Sequence, residues 1–225
     1  MTAPTIVYED GEALVIDKPA GLSIERPRKG GASLEDYLED LKLGFQRPPV
    51  AVHRLDTDTS GCLLLARNPK ALKRFNRAFE ERQVAKTYIG LVAGEMAEDG
   101  GTIELALAKV SSAERGWRMI AAKKGKPSIT HWERIGRGES AAGPFSIVRF
   151  RPVTGRTHQI RIHALAGLGA ALLGDPVYGT SGGSGKDAPR TMLHAESLEV
   201  TREGKTPILA RAPLPADFTA LGVDV

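Results

Sequence analysis

The stretch VHRLDTDTSGCLLLA, residues 52–66, sets a dense polar segment directly against an apolar run. Cys62 to Ala66 has the length and composition of a buried strand. Ahead of it stand His53, Arg54, Asp56, Asp58 and the hydroxyls of Thr57, Thr59 and Ser60, with Gly61 at the junction. Polar groups gathered at a strand entrance either satisfy one another in a structural loop or present chemistry to a ligand. Composition alone leaves both readings open.

On the N-terminal side, residues 5–8 (TIVY) and 13–17 (ALVID) read as short strands joined by a Glu-Asp-Gly turn. Pro19 and Gly21 then break the pattern, and the segment as far as Gly31 reads as loop. Ser33 is placed to cap a helix through LEDYLEDL, with Asp36 in its first turn. On the C-terminal side, Asn68-Pro69 opens a helix in which Leu72, Phe75, Ala78 and Phe79 recur at helical spacing. Lys86 to Val92 returns to strand. The runs TIELAL, WRMIAA, SITHWERI and PFSIVRF alternate with turns between 102 and 152, a pattern of antiparallel strands. A helix is expected over THQIRIHALAGL, a surface loop over 180–187, and closing strands in MLHAESLEV and PILARA. No repeat and no long linker interrupts the chain. The expected fold is one α/β (α+β) domain over residues 1–225, a mixed, largely antiparallel sheet flanked by helices.

The chain has 225 residues, of which 41% are hydrophobic and 26% charged, which argues against wholesale disorder. No secretory leader and no apolar run of membrane-spanning length is visible. The single cysteine, Cys62, excludes an internal disulfide and a multi-cysteine metal site, so a cytoplasmic location is expected. The net charge of +4 permits a polyanionic partner. Its distribution says more. Arg67, Lys70, Lys73, Arg74, Arg77, Arg82 and Lys86 face only Glu80 and Glu81, and Arg115, Arg118, Lys123, Lys124 and Lys126 have no acid among them. Such clusters are either solvated faces or phosphate-contacting surfaces.

Several signatures fail on inspection. His53-Arg54-Leu55-Asp56 transposes the kinase His-Arg-Asp order, and no Gly-rich phosphate loop accompanies it. Residues 182–187 (GGSGKD) lack the first glycine and the hydroxyl residue of a P-loop. His158 and His163 are badly spaced for two metal ligands on one helix face, so no metal is expected. A second polar segment, VTGRTHQIRIH over 153–163, carries Arg156 and Arg161. Two arginines there are cheaply buried only if each finds an anion, for which Asp56 and Asp58 are the obvious partners. An arginine so placed keeps a carboxylate ionised for nucleophilic or basic work.

His53-Arg54-Leu55-Asp56 followed by Thr59-Ser60-Gly61 resembles the signature of the RluA-type RNA pseudouridine synthases. Asp17-Lys18-Pro19-Ala20-Gly21-Leu22 matches that family's first motif, and Lys86-Thr87-Tyr88 its lysine–tyrosine element. Gly125-Lys126-Pro127-Ser128-Ile129-Thr130 and residues 154–163 resemble its middle element and third motif. Gly174-Asp175-Pro176-Val177-Tyr178-Gly179 and Leu193-His194-Ala195 follow in order. The resemblance implies the pseudouridine synthase fold and isomerisation of selected uridines in ribosomal or transfer RNA after base flipping. It implies Asp56 as the catalytic aspartate, Tyr88 as the aromatic that stacks on the target base and Arg161 as the arginine pairing with the aspartate. By the same resemblance Arg54 enters the RNA where the target nucleotide has left; His53, Arg156 and Lys86 join it as substrate-binding residues.

The reaction breaks the N1–C1′ bond, turns the uracil and joins C5 to C1′, with neither redox nor phosphoryl transfer, so no cofactor is expected. Two routes are open to the carboxylate: covalent attack at C1′ or C6, or removal of the C2′ proton. A stand-alone catalytic domain without a separate N-terminal RNA-binding domain is expected, acting as a monomer. The alternatives are a non-catalytic RNA-binding protein on the same fold and an unrelated hydrolase using Asp56 with a histidine. The loop from Ser23 to Gly31, with Arg26, Arg28 and Lys29, matches no family motif and is either a substrate contact or a solvated loop.

Overall fold

The computed structural model describes residues 3–28, 30–112, 116–141, 143–179 and 188–224. The expected surface loop at 180–187, Lys29 and Arg115 lie outside the described residues. The chain forms two compact units, residues 1–86 with 194–214 and residues 87–193 with 215–225.

The first unit is built on β1 (Thr5–Glu9), β2 (Ala13–Lys18), β3 (Val50–Ala51) and β4 (Ser60–Ala66), with α1 (Pro69–Glu80) behind them. Antiparallel β1–β2 and β2–β4 pairs give way to a parallel β4–β10 pair, where β10 is Leu193–Val200, and β11 (Ile208–Arg211) closes antiparallel on β10. Every residue of β4 is buried, which is why CLLLA shows no apolar–polar alternation: a strand covered on both faces needs none. Ala13, Val15, Cys62 and Leu64 pack with Ala71, Phe75 and Ala78 of α1 and with Leu198 and Val200 of β10. Asn68 caps α1 by accepting the Ala71 N–H at 2.9 Å, and Pro69 sits where its missing N–H costs nothing.

The helix expected over LEDYLEDL is instead two 3₁₀ turns, Leu34–Tyr37 and Asp40–Lys42. Only Leu34 and Leu41 are buried there, too far apart for the continuous stripe that stabilises a short α-helix. Arg26 of the unassigned loop pairs with Glu35 and Asp36 of the first turn, so this cation is tied to its own unit. Arg67, counted above among the basic cluster, is buried on Glu9 and over the Phe45 ring, and so does not belong to a phosphate-contacting face.

Gly61 fixes the β4–β10 approach. Its φ is +107°, and a Cβ added there would lie 2.2 Å from the Ala195 carbonyl oxygen. Both backbone strain and a clash with immovable main chain follow, so Gly61→Ala is expected to cost at least about 2 kcal/mol. Urea unfolding followed by circular dichroism measures this; an unchanged midpoint contradicts it.

The second unit is an antiparallel sheet in the order β5 (Val84–Ala93), β9 (Gly143–Pro152), β8 (Lys126–Ser140), β6 (Gly100–Ser112), β7 (Gly116–Ala121). β5 enters this unit at Thr87. Val92, Ile103, Trp132, Val148, Phe150, Ile160, Leu172 and Leu193 form its core. The helix expected over THQIRIHALAGL is an α-turn, α2 (Gln159–Ile162), continued by a π-turn at His163–Gly167. It starts at His158, whose backbone is left-handed (φ 53°). A final turn, α3 (Ala216–Thr219), is anchored by Asp217, which takes the Arg190 guanidinium at 2.6 and 3.0 Å.

Candidate active site

The residues singled out in the sequence divide between the units: His53, Arg54, Asp56 and Lys86 in the first, Tyr88, Arg156 and Arg161 in the second. In the first unit the polar segment forms the connection from β3 to β4, and groups on both flanks hold it. Lys18, at the end of β2, has no exposed surface. Its ammonium donates to the carbonyls of Pro19 at 2.9 Å, Leu22 at 2.8 Å and Thr57 at 3.0 Å. A buried ammonium must find such acceptors, and in doing so it ties the Asp17–Leu22 segment to the loop carrying Asp56. The Gly21 N–H also donates to the Thr57 carbonyl, and the Ser23 and Thr57 hydroxyls meet at 3.1 Å.

On the other flank, the Ser60 hydroxyl lies 2.9 Å from His194 Nδ1, and His194 Nε2 faces the Ala212 carbonyl at 3.4 Å. Because a carbonyl only accepts, the proton sits on Nε2 and Ser60 donates to Nδ1. Asp56 itself is half-buried, and its carbonyl accepts the Thr59 N–H to close the turn. Arg54 is exposed. His53 Nε2 accepts the Leu64 N–H at 3.0 Å while its ring stacks on Phe79 at 4.8 Å. Burial, and then the charge of Lys86, push its pKa down to about 3, so the ring is neutral and staples the loop to β4. Burial also lowers Lys86, whose ammonium lies 5.8 Å from the same Phe79 ring. Phe79 thus brings His53 and Lys86 together.

In the second unit Tyr88 lies on β5 opposite Phe150 of β9 and packs, half-buried, against the core. The Thr154–His163 segment is fixed to β8 by Gln159, which is buried and satisfied at both ends of its amide. Its oxygen accepts from the Thr154 hydroxyl (2.7 Å) and the Arg156 N–H (2.9 Å); its nitrogen donates to the Ile129 carbonyl (3.0 Å) and the Thr130 hydroxyl (2.9 Å). Arg161, 7% exposed, donates through Nε and a terminal nitrogen to the two oxygens of Asp175, each at 2.7 Å. Asp175 also accepts the N–H groups of Val177 and Tyr178. Burial works to raise the Asp175 pKa, but Arg161 and these N–H donors override it and hold the carboxyl below its usual value. The Arg161 guanidinium lies 5.0 Å from the centre of the Tyr178 ring.

The requirement for an anion therefore applies to one arginine of the pair. Arg156 is exposed, so solvent serves it, while the carboxylate supplied to Arg161 within its own unit is Asp175. In the sequence, Asp175, Lys18, Gln159, Ser60 and His194 stand only as members of motifs. The available signal was a charged or amide residue embedded among buried apolar neighbours, as in ALVIDKPAGL, where burial forces a specific partner.

The sequence model of the RNA pseudouridylate synthase family matches residues 12–166, which include Asp56, Tyr88 and Arg161. An uncharacterised RNA pseudouridine synthase of Zymomonas mobilis is 50% identical over 220 residues, 98% of either chain. The chain belongs to the RluA-type RNA pseudouridine synthases. The dual-specificity RNA pseudouridine synthase RluA of Escherichia coli is 36% identical, covering 87% of this chain and 86% of its own. Among solved structures, human RNA pseudouridylate synthase domain containing 1 superposes with a TM-score of 0.78 at 32% identity, covering 94% of this chain and 84% of that one. The pseudouridine synthase fold, a mixed and mostly antiparallel α+β architecture, is thereby shown, and with it an enzyme that acts on RNA. No helix among the described residues is long and apolar enough to cross a membrane.

Proposed function

We propose that this pseudouridine synthase isomerises uridines in structured ribosomal or transfer RNA, with Asp56 as the reacting carboxylate. The observation that carries the assignment is the anchoring of the Asp56 loop. Lys18 and the Ser60–His194 pair hold it from buried positions, while Asp56 keeps access to solvent. A loop that only satisfied itself would need no such scaffold, whereas a reacting carboxylate needs a fixed origin. Tyr88 carries the detached uracil while it turns. Arg161, itself oriented by Asp175, supplies the positive charge that keeps the reacting carboxylate in its working form. Arg54 occupies the gap left by the flipped nucleotide, and Arg156 and Lys86 contact the RNA backbone. His53 acts there through the loop it staples.

The match from residue 12 to residue 166 takes in stretches of both units, which supports one catalytic domain. In this reading the domain works as a cytoplasmic monomer. The description of the E. coli relative as dual-specificity supports more than one RNA substrate. Incubating the protein with unmodified ribosomal and transfer RNA transcripts, then digesting to nucleosides, tests this. Pseudouridine is expected at the expense of uridine in at least one pool; none in either contradicts the substrate assignment.

A further inference from the structure

Folding normally buries a tryptophan, because its ring is the largest apolar surface a side chain offers. Trp132 obeys, at 6% exposed; Trp117 does not, at 48%. Trp117 lies on β7, which ends the sheet order of its unit and pairs with β6. Its ring is not loose. It stacks on the His158 imidazole at 5.2 Å with 29° between the planes, and Lys109 of β6 places its ammonium 4.7 Å from the ring centre.

The His158 ring is fixed in turn. Its Nδ1 lies 2.9 Å from the Tyr178 hydroxyl, which also accepts the Met119 N–H at 3.1 Å. Tyr178 is the ring beside Arg161. Contacts therefore run unbroken within one unit from an exposed indole to the buried arginine: Trp117 to His158 to Tyr178 to Arg161. The surroundings are cationic. Strand register puts Lys109 and Lys126 on the same face as Trp117, and Arg156 stands exposed beside Pro127. Residues 115–126 carry no acid.

A half-exposed aromatic ring held by an imidazole and a lysine ammonium, on a sheet face that carries a further lysine, has the chemistry of a nucleobase platform. Stacking binds the base and the cations bind its phosphates. We propose that Trp117 stacks on an unpaired nucleobase of the RNA substrate, a nucleotide other than the isomerised one. The inference rests on RNA being the substrate. It adds a determinant of which RNA is chosen: an RNA that offers an unstacked base to the platform is preferred.

Trp117 and Trp132 are the only tryptophans, and Trp132 is buried, so quenching by stacking on added RNA reports on Trp117. Titration with poly(U) is expected to quench it, and a fully paired RNA duplex to quench it far less. Fluorescence anisotropy of a labelled uridine-rich strand should show about ten-fold weaker binding for Trp117→Ala and near-native binding for Trp117→Phe. Thermal unfolding of each variant confirms that it is folded. Poly(U) that binds without quenching overturns the proposal, as does Trp117→Ala binding like the wild type, or equal quenching by the duplex. Pseudouridine formation by the wild type is followed in parallel: its absence defeats the substrate assignment, whereas its presence without quenching defeats the platform alone.

Discussion

Asp175→Ala is expected to lower the unfolding free energy by about 3–5 kcal/mol, the range for removing one partner of a buried ion pair. Arg161 would remain buried with its guanidinium deprived of the carboxylate that takes two of its donors, and the N–H groups of Val177 and Tyr178 would lose their acceptor. Urea denaturation at neutral pH measures the loss; a change below about 1 kcal/mol would mean that solvent or a second group replaces the carboxylate. The effect has a defined pH dependence. The folded pKa of Asp175 lies below its unfolded value of 3.8, so its contribution is fully present above that value and is lost as pH falls through the folded one. The gap between wild type and variant should therefore narrow in acid. Because the pair also sets the direction of Arg161, activity should fall even where the variant remains folded.

Asp56→Asn should behave in the opposite way. The carboxylate is half-buried, and the loop that carries it is held by Lys18, Ser60 and His53, so stability should change by no more than about 1 kcal/mol. An amide neither attacks as a nucleophile nor removes a proton, so the rate should fall by about 10² to 10⁴ or more by either chemical route. RNA affinity should stay close to that of the wild type, since the cations proposed to contact phosphate are unchanged. Marked destabilisation instead would return Asp56 to the role of a structural loop residue.

The two hairpin-forming strands at the N-terminus, the buried β4, α1 and the antiparallel strands between 100 and 152 were all legible from periodicity. In each, one repeating contact surface decides the structure. The 34–42 segment was not, because propensity suggested a helix whose apolar stripe is missing. The 157–168 segment was half legible: its apolar spacing is helical, but the left-handed His158 and the π-turn at 163–167 are set by contacts to β8 and Tyr178 that no local window contains. The candidate site shows the same division. Asp56, Tyr88 and Arg161 stood out through ordered motifs. The partners that orient them were hidden, because Lys18 and Asp175 acquire meaning only from what burial places beside them, 39 residues away for Lys18 and Thr57 and 14 for Asp175 and Arg161.

The most direct measurement is tritium release from RNA labelled at uridine C5, comparing wild type with Asp56→Asn at equal RNA occupancy. The C5 hydrogen leaves only when C5 bonds to C1′, so release counts completed isomerisations. Release by the wild type and none by a folded, RNA-binding Asp56→Asn is the predicted result. Release at comparable rates by both proteins would contradict the assignment of Asp56 as the reacting carboxylate.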